Sequence, residues 1–257
     1  IFPIWNWARI PGPTTSANRK MTELPFYLFG SNKFAGGVSD GDIGVIAFEH
    51  VYTGIFAQKA YFFMGDAMLC LGSAISSHQS TSDIITTINQ CFSNGDVTVG
   101  KSNSSEKFKG GKLKTSGVNW IYHDNVGYVL LKNDSLTIEQ NDLTGSWKDI
   151  NRDGTEDKIK RKVFSAWFSH GKEPVNDSYG YVVVPDRPIK DFVEQKVNHG
   201  FELIKNEPGI QAVRNRKLST YAVIFYEPGI VDLGNGLTLS ADKKVILSIK
   251  MDKNSYK

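Results

Sequence analysis

Short runs of apolar residues, separated by glycine, asparagine and aspartate, recur along most of this chain. Runs of this length that are rich in β-branched and aromatic residues predict β-strands. Several runs are apolar throughout and do not alternate, which is typical of strands buried on both faces. The predicted strands are 44–49, 60–64, 67–71, 84–90, 126–131, 135–139, 163–168, 179–184, 221–226 and 245–251. The pattern therefore predicts an all-β protein, a large multi-sheet antiparallel β-sandwich.

Two polar dipeptides between predicted strands have the composition of hairpin turns. They are Gly65-Asp66 and Asn133-Asp134. Glycine adopts positive φ without strain, and Asn and Asp tolerate it better than most residues, so both dipeptides suit tight reversals. We expect each of them to join two neighbouring antiparallel strands.

One segment has helical rather than strand spacing. Pro188 is favourable in a first helical turn, and Gly200 is suited to ending a helix. Between them the apolar residues recur at i, i+3, i+4 and i+8, namely Ile189, Phe192, Val193 and Val197. Because no repeat or linker-like segment interrupts the chain, the sequence predicts one domain over 1–257 with one short helix.

Composition narrows the class of protein. Hydrophobic residues make up 40% of the chain and charged residues 22%, which indicates a folded globular protein. The net charge of +3 is too small to indicate a nucleic-acid partner and is compatible with an acidic glycan. No apolar run reaches the ~20 residues that a membrane-spanning helix needs. We therefore expect no nucleic-acid partner and no membrane span.

Two local features leave alternatives open. The stretch 101–114 holds five lysines against one glutamate, and its Ser, Asn and Gly residues predict a loop. That loop is either a solvated hairpin tip or a contact for a polyanion. Cys70 and Cys91 lie in apolar, strand-like segments, where they are either buried free thiols or one disulfide.

The chain opens with an aromatic segment that continues into a Pro-Gly-Pro turn. Trp5 and Trp7 precede this turn, and Arg9 lies between Trp7 and the turn. Large aromatic side chains usually lie in a core, so the segment is either a buried strand that enters a loop or an aromatic surface on which sugar rings stack.

The segment 149–157 resembles the first part of a calcium-binding loop. Carboxylate or amide oxygens stand at positions 1, 3, 5 and 9, on Asp149, Asn151, Asp153 and Asp157, and Gly154 stands at position 6. Position 12 is Lys160, where a bidentate acidic residue is expected. The segment is therefore either a calcium site without its strongest ligand or a plain hairpin.

Several short motifs, taken together and in order, resemble polysaccharide lyase family 8, which includes chondroitin, hyaluronate and xanthan lyases. The matching residues are Trp5, Trp7, Pro11, Gly12, Thr14 and Thr15; 36–38; Asp66, Leu71, Gly72, Ser73 and Ile75; Thr86 and Thr87; 145–151; and 167–171 with Pro174, Tyr179, Tyr181 and Pro185. The ordered series ends near residue 185, and 186–257 match only loosely.

The resemblance implies a galactose mutarotase-like supersandwich, the central domain of such lyases. In the family, Asn, His, Tyr and Arg catalytic residues lie in an N-terminal helical toroid, and a glutamate lies just upstream of the Trp-x-Trp segment. No stretch of this chain matches those motifs, so no catalytic residue is assigned. The resemblance further implies a secreted or periplasmic parent protein whose toroid and C-terminal β domain lie outside this chain.

The partners implied are therefore an acidic polysaccharide and the catalytic toroid of the parent chain. No cofactor is required, although calcium fits the 149–157 segment. Because aromatics, cations and amides suit acidic sugars, the candidate residues for one wall of the glycan cleft are Trp5, Trp7, Arg9, Arg19 and Asn32. The alternatives are a stand-alone carbohydrate-binding sandwich, with or without a dependence on calcium, and a purely structural module.

Overall fold

The computed structural model describes residues 1–20, 32–101, 104–132, 135–196 and 199–251. The strands, in chain order, are β1 Thr14–Ser16, β2 Ala35–Ser39, β3 Ile43–Tyr52, β4 Ile55–Met64, β5 Ala67–Ser77, β6 Ile84–Phe92, β7 Thr98–Gly100, β8 Ser105–Lys107, β9 Gly111–Thr115, β10 Trp120–His123, β11 Val126–Leu130, β12 Leu136–Gly145, β13 Ile159–Ser169, β14 Asp177–Val184, β15 Phe201–Glu207, β16 Ile210–Asn215, β17 Thr220–Phe225, β18 Gly229–Asp232, β19 Thr238–Ala241 and β20 Val245–Lys250. One α-helix, α1, covers Ile189–Gln195, and short 3-10 helices cover Phe2–Ile4, Trp7–Arg9 and Trp147–Asp149.

This architecture confirms the prediction of an all-β, multi-sheet antiparallel sandwich with one short helix. Each strand predicted from the sequence overlaps an observed one. The β4–β5 turn has Gly65 at φ 72°, as its hairpin chemistry predicts. The Asn133-Asp134 turn lies outside the described residues. None of the described helices is long and apolar enough to cross a bilayer.

The prediction of a loop at 101–114 is wrong in part, because this stretch contains β8 and most of β9. Strand β8 pairs with β7, and β9 pairs with β12 over five residues. Both strands hydrogen-bond through their backbones while most of their lysine side chains face water, so their composition carries no apolar strand signal.

The described residues form two compact units. The first unit draws on the N-terminal segment and on 77–124 and 133–174, and the second draws on 32–76, 125–132 and 175–251, each in its described parts. One domain over 1–257 stays a prediction, since two compact units can still unfold in one cooperative step.

In the first unit, one sheet has the order β1-β6-β13-β12-β9. Strands β12 and β13 pair along ten residues, with Ser165 opposite Glu139 and Trp167 opposite Thr137. Because alternate residues of a strand face opposite sides, Glu139 and Trp167 lie on one face while Ile138 and Phe164 lie buried on the other. This register brings a carboxylate and an indole together on the face that holds the candidate site.

In the second unit, six strands follow the order β2-β3-β4-β5-β14-β11. Another sheet has the order β15-β16-β17-β20, and β18 pairs with β19. Apolar residues of β17, such as Val223 and Phe225, pack with Val231 and Leu233 in a buried cluster. This burial explains the continuous apolar run that predicted β17 from the sequence.

Candidate functional site

A cavity of about 560 Å³ lies beside the N-terminal aromatic segment; we call it the tryptophan pocket. Its lining includes Trp5, Trp7, Arg9, Arg19, Lys20 and Glu139. Four of the five residues predicted for a glycan-binding wall therefore line one pocket. Sequence reasoning missed Lys20 and Glu139, and neither residue carries a local motif that distinguishes it from other surface charges.

The N-terminal segment is fixed by the buried side chain of Gln90 on β6. Its Nε2 donates to the carbonyl oxygens of Asn6 (3.0 Å) and Arg9 (2.9 Å), and its Oε1 accepts from the Asn6 backbone N–H at 2.9 Å. The Asn6 Oδ1 in turn accepts from the backbone N–H of Ala8 at 3.0 Å, which caps the short helix Trp7–Arg9. These bonds set the direction of the segment and thereby of both tryptophans.

The aromatic wall consists of three rings. Phe2 stacks on Trp5 with ring centroids 5.2 Å apart, and Trp7 lies 5.8 Å from Trp5 at an interplanar angle of 44°. Both tryptophans are half-buried, and neither indole N–H donates a hydrogen bond within the described residues. The nitrogen atom of each indole is itself buried, so the wall offers a ligand the faces and carbon edges of its rings, on which the apolar face of a sugar packs.

Arg9 is held in a defined position on the sheet. Its guanidinium lies 3.8 Å over the ring of Trp167, and its Nη1 donates to Glu139 Oε2 at 2.8 Å. The side chains of Arg9 and Glu139 are 18% and 16% exposed, so water only partly screens the pair. A guanidinium has five N–H donors, and this ion pair uses one of them.

The pocket has a small positive charge. Among the described lining residues, Arg9, Arg19 and Lys20 stand against Glu139 and Asp149, which gives 3 − 2 = +1. Arg19 is half-buried and Lys20 is exposed. Cations next to aromatic faces favour a ligand that carries both a carboxylate or sulfate and an apolar ring face.

Asn32 does not line this pocket. It belongs to the second unit, where it is exposed and its Oδ1 accepts from the backbone N–H of Val51 at 3.3 Å. Its role in a glycan-binding wall stays a prediction.

The oxygen-rich segment 149–157 uses several of its side chains in local bonds. Asp149 Oδ2 accepts from the backbone N–H of Ser146 at 2.7 Å, a bond that lowers the pKa of this carboxyl, and it lies 3.7 Å from Lys158 Nζ. Asn151 Oδ1 accepts from the backbone N–H of Asp153 at 3.1 Å. Among the described residues, no group of three or more His, Cys, Asp or Glu side chains is arranged to hold a metal ion.

Calcium binding by Asp149, Asn151, Asp153 and Asp157 therefore stays a prediction. A calcium ion at Asp149 competes with Ser146 and Lys158 for the same carboxylate. The prediction requires that calcium raise the Tm of the chain, that a chelator reverse the rise, and that Asp153→Ala abolish it, with Asp232→Ala as a control. A Tm that does not respond to calcium would contradict the calcium site.

His170 and the two cysteines have structural surroundings. His170 Nε2 lies 2.9 Å from Thr86 Oγ1, which is the hydrogen-bonded turn position typical of a lone histidine. Cys70 and Cys91 are free thiols, which rules out a disulfide between them. Burial raises their pKa values to about 12 and about 11, so both remain protonated and weakly nucleophilic near neutral pH.

The chain matches two family models along most of its length. Residues 1–196 match the super-sandwich domain of polysaccharide lyase family 8, and residues 202–257 match the C-terminal beta-sandwich domain of the same family. The second match differs from the expectation that the family's C-terminal β domain lies outside this chain, an expectation drawn from motifs that end near residue 185.

Individual relatives agree with these models. Chondroitinase-AC of Pedobacter heparinus is 33% identical over 255 residues, which are 97% of this chain and 36% of that protein. Hyaluronate lyase of Thermasporomyces composti is 24% identical over 238 residues, which are 90% of this chain and 31% of that protein. A solved structure of chondroitinase AC lyase with oligosaccharides superposes with a TM-score of 0.86 at 30% identity, covering 97% of this chain and 37% of the other.

This chain spans about a third of the length of these relatives. The similarity nevertheless covers almost every residue of the chain itself, and the sheet architecture agrees with the description of the first family model. The chain belongs to polysaccharide lyase family 8.

Proposed function

We propose that this chain is the sandwich part of a lyase that cleaves acidic glycans of the chondroitin or hyaluronan type by β-elimination. In this proposal the tryptophan pocket forms part of one wall of the substrate cleft. The observation that carries it is the placement of Trp5 and Trp7 beside Arg9, Arg19 and Lys20 in one cavity. The names of the relatives, chondroitinase-AC and hyaluronate lyase, support the substrate class.

The chemistry of the reaction explains the role of such a wall. β-Elimination at a uronate removes the C5 proton, which lies alpha to a carboxylate, and expels the glycosidic oxygen at C4. The reaction needs a base, a group that neutralises the carboxylate, and an acid for the leaving oxygen. A rigid aromatic and cationic wall lowers the entropy cost of placing the sugar before these groups act on it. We propose that a helical toroid of a secreted or periplasmic parent protein supplies the catalytic groups, and that this chain alone is inactive.

Binding of hyaluronan and chondroitin oligosaccharides to the full 257-residue chain, measured by calorimetry, tests the wall. We expect Arg19→Gln to weaken binding by about tenfold, because it removes a charge-assisted hydrogen-bond donor. Arg152→Gln is the matched control, since Arg152 is exposed in the same unit and does not line the pocket. Equal affinities of the two variants and the wild type would contradict the proposed wall.

The absorbance of the unsaturated product tests the second half of the proposal. We expect the isolated chain to produce no unsaturated oligosaccharide from either polymer, at any chain concentration that saturates binding. Sustained turnover would show that the catalytic groups lie within these residues and would overturn the division of roles.

A further inference from the structure

A second cavity, of about 620 Å³, lies entirely in the second unit. We call it the Phe63 pocket, and its lining includes Phe63, Asp66, Met68, Val183, Asp186 and Arg187. Within the part of the chain that the structure describes, it shares no lining residue with the tryptophan pocket. Its volume lies in the range of small-molecule sites, so one or two sugar rings fit in it.

Strand pairing and one ion pair build this pocket. Val183 on β14 lies opposite Met68 on β5, which gives the cavity an apolar floor. Arg187 forms an ion pair with Asp66 of the β4–β5 turn, and its backbone N–H donates to the carbonyl of Asn125 at 3.0 Å. The loop after β14 is therefore tied both to the β4–β5 turn and to the residue before β11.

One wall of the pocket is an exposed aromatic side chain. Phe63 is 43% exposed at the end of β4, although most large apolar residues of this strand are buried. An exposed ring beside a charged pair suits a sugar, because the C–H face of a pyranose packs on the ring while its polar substituents reach the charges.

The charge of the pocket differs in sign from that of the tryptophan pocket. In the described lining, Asp66 and Asp186 stand against Arg187, which gives 1 − 2 = −1. A uronate or a sulfated sugar is repelled by such a lining, whereas a neutral sugar is not. The Phe63 pocket therefore suits the uncharged type of sugar residue.

Among neutral sugars, an acetamido substituent matches the lining best. It offers an N–H donor, a carbonyl acceptor and a methyl group. A carboxylate has about four acceptor sites and a guanidinium five donors, which is more than one ion pair between them can use. Met68 and Val183 supply an apolar surface for the methyl group.

We propose that the Phe63 pocket binds an N-acetylated hexosamine residue, with the sugar ring on Phe63 and the acetamido group between the Asp66–Arg187 pair and the apolar floor. This site lies outside the proposed cleft wall, and it does not depend on the proposed lyase function.

Saturation-transfer NMR on the full chain tests this site with N,N′-diacetylchitobiose, an uncharged probe. Cellobiose, which lacks the acetamido groups, is the matched probe. We expect the acetamido methyl to receive the strongest saturation and cellobiose to receive little. Phe63→Ala and Arg187→Gln should each weaken binding of the acetylated probe by about tenfold, because they remove the aromatic wall and the donor to the acetamido carbonyl.

Two control variants make the result specific. Ile230→Ala removes another exposed apolar side chain of the same unit, 66% exposed, and should leave binding unchanged. Arg19→Gln, which tests the glycan wall, should also leave it unchanged, so the two proposals fail separately. Thermal melting checks that each variant is folded.

Three outcomes would overturn the proposal: no saturation of the acetylated probe, equal saturation of cellobiose, or saturation that persists in both Phe63→Ala and Arg187→Gln. If only the Phe63→Ala variant fails to fold, the Arg187→Gln result decides alone.

Discussion

Lys59 is a charged residue in the interior of the second unit. It is 1% exposed, and its ammonium group lies 5.6 Å from the centroid of the Tyr179 ring. Burial lowers the pKa of Lys59 from 10.5 to about 7. The neighbouring thiol of Cys70 supplies no negative charge to offset this, because burial raises its pKa to about 12. An ammonium at this place therefore opposes folding near neutral pH.

The sign of the pH dependence follows from this shift. Between pH 7 and 10.5 the unfolded chain carries the proton on Lys59 more often than the folded chain does. The contribution of Lys59 therefore makes the free energy of unfolding rise with pH through that window. Lys59 destabilises the folded state most at pH values below its folded-state pKa of about 7. A shift from 10.5 to about 7 corresponds to an effect on the order of 5 kcal/mol.

We expect Lys59→Met to raise the free energy of unfolding at pH 7 and to flatten its rise toward pH 10. Methionine keeps the length of the side chain and removes the charge. Urea denaturation of both proteins at several pH values, with a reductant present for the thiols, measures the effect. A variant with the same pH slope as the wild type would show that Lys59 is not the source of the dependence.

At the scale of elements, Gly145 at the end of β12 determines how closely the N-terminal segment approaches the sheet. A Cβ atom at this position would lie 1.9 Å from the carbonyl oxygen of Pro3, a backbone atom that cannot rotate away. The aromatic segment lies this close to β12 because the residue there has no side chain.

We expect Gly145→Ala to destabilise the chain by about 1–3 kcal/mol and to weaken glycan binding at the tryptophan pocket, because the segment must move away from β12. Gly36→Ala is the matched control, since its Cβ would meet nothing closer than Ile246 Cδ1 at 3.7 Å. Denaturation and calorimetry on both variants provide the measurements. Comparable losses in the two would contradict the role of Gly145.

The strands that were predicted from the sequence are those whose own residues form a recognisable apolar pattern. Strands such as β5 and β17 are continuous apolar runs, and burial on both faces is the physical reason for that pattern. Strand β9 carries two lysines at exposed positions, and β15 carries polar residues at half-buried or exposed positions, so their composition gave no such signal. Pairing with a neighbouring strand determines these elements, and pairing is not visible in a short window of sequence.

The same distinction applies to the tryptophan pocket. Trp5, Trp7, Arg9 and Arg19 were predicted because their residue types suit acidic sugars. Glu139 was missed because its contact with Arg9 spans 130 residues of chain and depends on the register of β12. Residue type predicted which side chains suit the ligand, and the long-range contacts could be seen only in the structure.

At the scale of the whole molecule, the two compact units are interleaved along the chain. The backbone passes from one unit to the other between 20 and 32, at 76/77, at 124/125, between 132 and 135, and at 174/175. Neither unit is a continuous segment, so neither can be excised without breaking the chain at several points. This connectivity favours the prediction that 1–257 behave as one cooperative domain.

The distribution of tryptophan makes this prediction measurable. All five tryptophans, Trp5, Trp7, Trp120, Trp147 and Trp167, belong to the first unit. Tryptophan fluorescence therefore follows the unfolding of that unit, while far-ultraviolet circular dichroism follows the strands of both. We expect the two signals to give the same urea midpoint and slope, as one cooperative domain requires. Separate midpoints would show two independently unfolding domains.

The 5.8 Å spacing and 44° tilt of the Trp5 and Trp7 rings have an optical consequence. Two indoles this close and not parallel couple their excited states, and the coupling splits one absorption band into a pair of circular dichroism bands of opposite sign. The handedness of this couplet depends on the mutual orientation of the rings. In any longer protein that contains this segment, the couplet thus reports the conformation of the segment without an added label.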